Sequence, residues 1–88
     1  EPHDIFSEFH LWPNPASDQL NISFTSSISQ DLTLQINDMA GHQVYDERLP
    51  GYSGNFETQI DVSKWAKGIY ILKIQGNKGL YTRKIVVK

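Results

Sequence analysis

Apolar and polar residues alternate with period two in short blocks along this chain of 88 residues. In "QLNISFT", Leu20, Ile22 and Phe24 fall on one face, while Asn21, Ser23 and Thr25 fall on the other. Such alternation is the mark of a half-buried strand. "LTLQI" repeats it with Leu32, Leu34 and Ile36 inward, and "FETQIDV" with Phe56, Thr58, Ile60 and Val62 on one face. "IYILKI" places Tyr70, Leu72 and Ile74 together, and "TRKIVV" pairs Ile85 with Val87. "FHLW" reads as a short first strand, and "QVYDERL" as an edge strand with weaker, more polar patterning.

Turn chemistry separates these blocks. "SSISQD" and "PGYSGN" read as polar loops, and "QGNKG" joins the last two strands. "NDMAGHQV" reads as a hairpin in which Asp38 accepts from a nearby backbone N–H and Gly41 supplies a positive φ. "DVSKWAKG" is the one helical candidate, a single turn capped by Asp61 or Ser63, with Gly68 at its left-handed end. About seven strands at this spacing predict an all-β, immunoglobulin-like antiparallel sandwich. Gly68-x-Tyr70-x-Leu72 adds to that expectation. A Tyr at such a corner packs its ring and bonds its hydroxyl back to the turn, with Leu72 in the core.

Composition narrows the function classes. The chain has no Cys, so packing alone must hold it together. A net charge of −2 argues against nucleic acid, which calls for a basic stripe. The longest apolar run is "IYIL", far below the roughly 18 residues of a membrane-spanning helix. The first residue is Glu and no secretory leader opens the chain, so it reads as an excised piece of a longer protein. Residues 1–9 read as a linker from an upstream part, and 10–88 as the domain.

No constellation of residues points to catalysis. His3, His10 and His42 lack metal-ligand spacing, so neither a metal nor another cofactor is expected. No nucleophile elbow supports Ser-His-Asp chemistry. Asp46 and Glu47, adjacent on a strand, point to opposite faces. "GNKG" is too short for a phosphate loop. Trp12, Tyr52, Phe56, Trp65, Tyr70 and Tyr81 could form a sugar-binding platform. Packing is the simpler reading: Phe56 and Tyr70 are inward by parity, and Trp65 plugs one end of the sandwich. Neither Tyr52 nor Trp12 is placed by parity. Lys84 and Lys88 share the wet face of the last strand, opposite Ile85 and Val87, and Lys on an edge discourages edge-to-edge pairing.

Four segments in order resemble the type A C-terminal sorting domains of the Bacteroidetes type IX secretion system. "WPNPASDQLNI" resembles the family's opening Pro-Asn-Pro segment, and "INDMAGHQV" its hairpin, with Asp38 and Gly41 in place. "DVSKWAKGIYILKI" resembles the Leu-x-x-Gly-x-Tyr approach to the penultimate strand, with Trp65 where Leu is commoner, and "RKIVVK" the Lys-rich terminal strand. The resemblance implies an immunoglobulin-like sandwich. It also implies an address that sends a parent protein across the outer membrane, through the periplasm, to the cell surface or the medium. Implied partners are the upstream cargo domain, the outer-membrane translocon and shuttle proteins of the system, and a sortase-like cell-surface peptidase that usually removes the domain. Pro13, Asn14, Pro15, Lys84 and Lys88 are the expected recognition residues. Asp38, Gly41, Gly68 and Tyr70 are expected to act through folding. Terminal strand edges would offer unpaired backbone groups, so strand addition by a receptor is an expected mode. The rival readings are a carbohydrate-binding or fibronectin-like accessory module, which would need a flat cluster of exposed aromatics, and a purely structural spacer or adhesin subunit.

Overall fold

A computed structural model describes residues 6–77 and 79–88. Five antiparallel strands carry the chain: β1 (Phe6–Trp12), β2 (Gln19–Asp38), β3 (Gln43–Asp61), β4 (Gly68–Gly76) and β5 (Gly79–Val87). β2 pairs with β1, β3 and β4, and β4 pairs with β5. The ladder curls at the middle of β2 and β3. One half contains β1 and the stretches 19–26 and 54–61. The other contains 43–49, 30–38, β4 and β5. These halves face each other across one core, as in a β-sandwich.

The inward faces fall where alternation puts them. Leu20, Ile22, Leu34, Ile36, Leu72, Ile74 and Ile85 have no exposed surface, and Phe24 and Leu32 are almost as deeply buried. Each such side chain contributes about 1.5–3 kcal/mol by leaving water. Phe24 stacks on Phe56 at 5.0 Å, and Phe9 of β1 tilts onto Tyr81 of β5 at 4.8 Å, joining the two halves by an aromatic contact.

Seven expected strands become five because two expected loops are strand. "SSISQD" continues β2 and "PGYSGN" continues β3. The register slips between Ser26 and Gln30, and again between Gln30 and Leu32. Bulges of this kind bend a paired ribbon without ending it, which is how one long hairpin serves both halves. Asp31 holds the bend by accepting from the Gly51 N–H at 2.8 Å. Gly51 and Gly54 take φ of 57° and 91°, conformations a side chain resists.

The expected helical turn is a plain turn, and the described residues contain no helix. Asp61 Oδ1 accepts from the Ser63 N–H at 2.9 Å and the Ser63 hydroxyl at 2.7 Å. Trp65 N–H then closes on the Val62 carbonyl at 3.0 Å. Gly68 has φ 152°, outside the left-handed helical region expected for it and in a mirror-image extended region open mainly to Gly. At the other end of the chain, β1 starts at Phe6, so residues 6–9, read as linker, are strand; residues 1–5 lie outside the described residues.

Candidate recognition site

The stretch 13–16 leaves β2's neighbour β1 and crosses to the outer edge of β5. Pro13 and Pro15 have no N–H, so they cannot donate to that edge. Ala16 can, and does: its N–H bonds the Val86 carbonyl at 2.8 Å, and its carbonyl accepts from the Lys88 N–H at 2.8 Å. This is a parallel bridge between Ala16 and Val87. Two residues earlier a side chain repeats the pattern. Asn14 Nδ2 donates to the Lys84 carbonyl at 3.0 Å, and Asn14 Oδ1 accepts from the Val86 N–H at 3.0 Å. The carboxamide stands in for a peptide unit. It supplies the donor and acceptor that a neighbouring strand would supply, where proline makes a true strand impossible.

The expected open edge at residues 84–88 is therefore closed. Its carbonyls and amides at Lys84, Val86 and Lys88 are engaged by Asn14 and Ala16. Strand addition by a receptor would have to displace four hydrogen bonds there. Ala16 itself is fully buried, which anchors the crossing in the core, while Pro13, Asn14 and Pro15 stay exposed. The peptides before both prolines are cis. Two motifs from opposite ends of the sequence thus form one structural unit. The Lys84 and Lys88 side chains project from it, exposed, opposite buried Ile85 and Val87.

The remaining motif residues support this unit from a distance. Asp38 Oδ1 accepts from the N–H groups of Ala40 and His42, at 3.0 and 2.8 Å, and Gly41, at φ 92°, completes the turn. The His42 backbone N–H, foremost, holds the Asp38 carboxyl below its ordinary range, with further help from the His42 ring and the Ala40 N–H. Tyr70 is 4 % exposed, and its hydroxyl donates to the Ala66 carbonyl at 2.5 Å, the corner expected from Gly68-x-Tyr70. Trp65 lies on the Tyr70 ring at 5.1 Å, closing that end. Lys84 pairs with Ile71 across the β4–β5 ladder, so the hairpin that carries Tyr70 also carries the terminal lysines.

Among the described residues the aromatic side chains do not assemble a platform. Phe56 and Tyr70 are core, and Tyr52 packs edge-on against Phe56 at 5.8 Å while its hydroxyl donates to the Asn55 carbonyl. Trp12, 47 % exposed, is the most exposed aromatic among those whose side chains are described, and its ring neighbour is His10. Arg83 lies over the Tyr81 ring at 4.4 Å and near Phe9 at 5.3 Å, capping the gap between β1 and β5. Among the described residues no group of three His, Cys, Asp or Glu comes together as a metal site would require.

One residue escaped sequence reading. Gln30, in a stretch read as loop, is only 3 % exposed. Its Oε1 accepts from the Asn77 N–H at 2.9 Å, which ties the bend of β2 to the β4–β5 turn. A Cβ on Gly76 would sit 2.3 Å from that oxygen, so any larger residue there must push the Gln30 carboxamide aside.

The profile of a family described as "Secretion system C-terminal sorting domain" matches residues 10–88. No curated protein sequence matches. Among solved structures, a DUF3244 family protein with an immunoglobulin-like β-sandwich fold from Bacteroides vulgatus superposes with a TM-score of 0.67 at 23% identity. The match covers 91% of this chain and 83% of that one, and it bears on the fold.

Proposed function

The chain belongs to the family of secretion system C-terminal sorting domains, and from that premise we propose how its residues serve the address. The family function is the C-terminal sorting signal of type IX secretion, which takes a parent protein across the outer membrane to the cell surface or the medium. The domain therefore works with the type IX machinery. We assign it no chemistry of its own. The finer route in our reading runs through the periplasm to an outer-membrane translocon with its shuttle proteins. Removal by a sortase-like surface peptidase follows. The sorting domain comprises the matched residues 10–88 together with the start of β1 from Phe6, and the residues before it connect to an upstream cargo.

The observation that carries the assignment of roles is the bonding of Asn14 to the backbone of Lys84 and Val86. A signal read after folding needs rigid, exposed features. The Asn14 clip supplies rigidity by fixing the end of β5. Lys84 and Lys88 supply the exposed charges. On this reading Pro13, Asn14 and Pro15 act mainly by shaping the unit, and the two lysines make the direct contacts. Asp38, Gly41, Gly68 and Tyr70 act through the fold.

Deleting residues 84–88 would remove Ile85 and Val87 from the core together with the lysines, and so would confuse folding with contact. The informative variant is Lys84→Ala with Lys88→Ala. Fused behind a signal peptide and a fluorescent protein in a type IX-competent host, it should melt like the parent yet leave cargo in the periplasm. Undiminished export of this double variant overturns the assignment of the lysines.

A further inference from the structure

Charge is divided along this chain far more sharply than its net value of −2 suggests. All ten Asp and Glu lie in residues 1–61, with Arg48 the one Lys or Arg there. Residues 62–88 hold the other seven, Lys64, Lys67, Lys73, Lys78, Arg83, Lys84 and Lys88, and no acid at all. The fold gathers this segment into the β4–β5 hairpin and the turn leading to it.

Alternation then sorts the hairpin into two faces. Tyr70, Leu72, Ile74, Ile85 and Val87 go inward. Ile69, Ile71, Lys73, Lys84, Val86 and Lys88 go outward, and none of these is fully buried. The ladder sets Ile69 beside Val86 and Ile71 beside Lys84. Cross-strand neighbours stand about 4.5–5.5 Å apart, so an aliphatic centre is flanked directly by ammonium groups. Lys67 extends the patch at the turn, where it borders a concavity of about 330 Å³ with Met39 and Ile69. Among the described residues, no Lys or Arg of this segment comes within 4 Å of a carboxylate. The acids nearest in register on this face are on β3: Asp46 is separated from Lys73 by Gln35 of β2. Asp38 borders the concavity, but its carboxylate is occupied by the Ala40 and His42 amides.

We infer that the outward face of the β4–β5 hairpin, centred on Ile69, Ile71 and Val86 and ringed by Lys67, Lys73, Lys84 and Lys88, docks an acidic protein surface with an apolar centre on the secretion machinery. The inference rests on the sorting reading and adds the partner's chemistry to it. The aliphatic centre is what selects protein over a simple polyanion, for which lysines alone would suffice. Charge of one sign on a face steers encounter and excludes wrong partners, while burial of the aliphatic centre supplies affinity.

The test uses the fluorescent fusion with residues 1–88, its Lys73→Glu/Lys84→Glu/Lys88→Glu variant, and the matching triple Lys→Arg variant. A fourth, Glu57→Lys/Gln59→Lys, alters the opposite outer face. All four are checked for an unchanged melting profile. Charge reversal is expected to cut export about tenfold or more, with the Arg variant and the opposite-face variant near the parent level. Ile71→Asp should fall with the reversal. Equal export of parent and reversal overturns this inference and leaves the sorting reading standing. Failure of the parent fusion to leave the periplasm overturns the sorting reading and the inference with it. Parent domain that sediments with phosphatidylglycerol vesicles, or dimerises through this face, with either property lost on reversal, reassigns the patch to lipid or to a second copy and overturns the protein partner.

Discussion

At the scale of single residues, Asn14 shows how a side chain can do the work of backbone. Its amide meets the Lys84 carbonyl and the Val86 N–H in the pattern that Ala16 makes with its peptide groups. Each such bond contributes about 0.5–1.5 kcal/mol net. Asn14→Ala is therefore expected to leave a folded domain that is about 1–3 kcal/mol less stable, with faster hydrogen exchange at the Val86 amide. A variant as stable as the parent, with unchanged Val86 protection, would remove Asn14 from the structural role given to it. The two turn aspartates make a prediction about pH. Asp38 is held low first by the His42 backbone N–H, and Asp61 first by the Ser63 hydroxyl. A depressed carboxyl contributes stability that is present above its unfolded value of 3.8 and is lost as pH falls through its folded value. Melting temperature should thus drop more steeply below that value in the parent than in Asp38→Asn/Asp61→Asn, as read by thermal melts across an acid series. Parallel curves would show that neither turn contributes through its charge. None of the Asn14 geometry was legible in sequence, because its partners lie 70 and 72 residues away. The Tyr70 corner was legible, because its acceptor, Ala66, is four residues back.

At the scale of elements, strand faces were legible and strand continuity was not. Parity alone placed Leu20, Ile22 and Phe24, and Leu32, Leu34 and Ile36, on the core. Yet the Ser-rich stretch between them looked like a loop, because polar composition marks solvent or a turn. Here it marks a bulged bend, where strand pairing persists through register slips. The buried Gln30 belongs to that bend. Its side chain satisfies the Asn77 N–H, and Gly76 leaves room for it. Gly76→Ala should force the carboxamide aside and leave buried polar groups without partners. The expected cost is about 1–3 kcal/mol, measured by denaturant unfolding. Gly76→Ala with Gln30→Ala should recover part of that loss, since the clash and the displaced carboxamide are both removed while the Asn77 N–H stays without its acceptor. Equal instability of single and double variants would place the cost elsewhere.

At the scale of the whole molecule, the two ends of the sequence meet. The Pro-Asn-Pro segment near the start closes the edge of the strand at the finish, and the result is one exposed unit bearing Lys84 and Lys88. Family membership was legible from four short motifs in order, and the profile match over 10–88 establishes it. The partition of charge explains why a chain of net −2 can present a cationic hairpin. What matters most for function is that this sandwich is sufficient as an export address. The direct measurement is the fraction of a fluorescent cargo, fused ahead of residues 1–88 and behind a signal peptide, that reaches the surface or medium of a type IX-competent host. Export dependent on both the domain and a working type IX system is the expected result. A folded fusion that stays in the periplasm of that host would contradict the account.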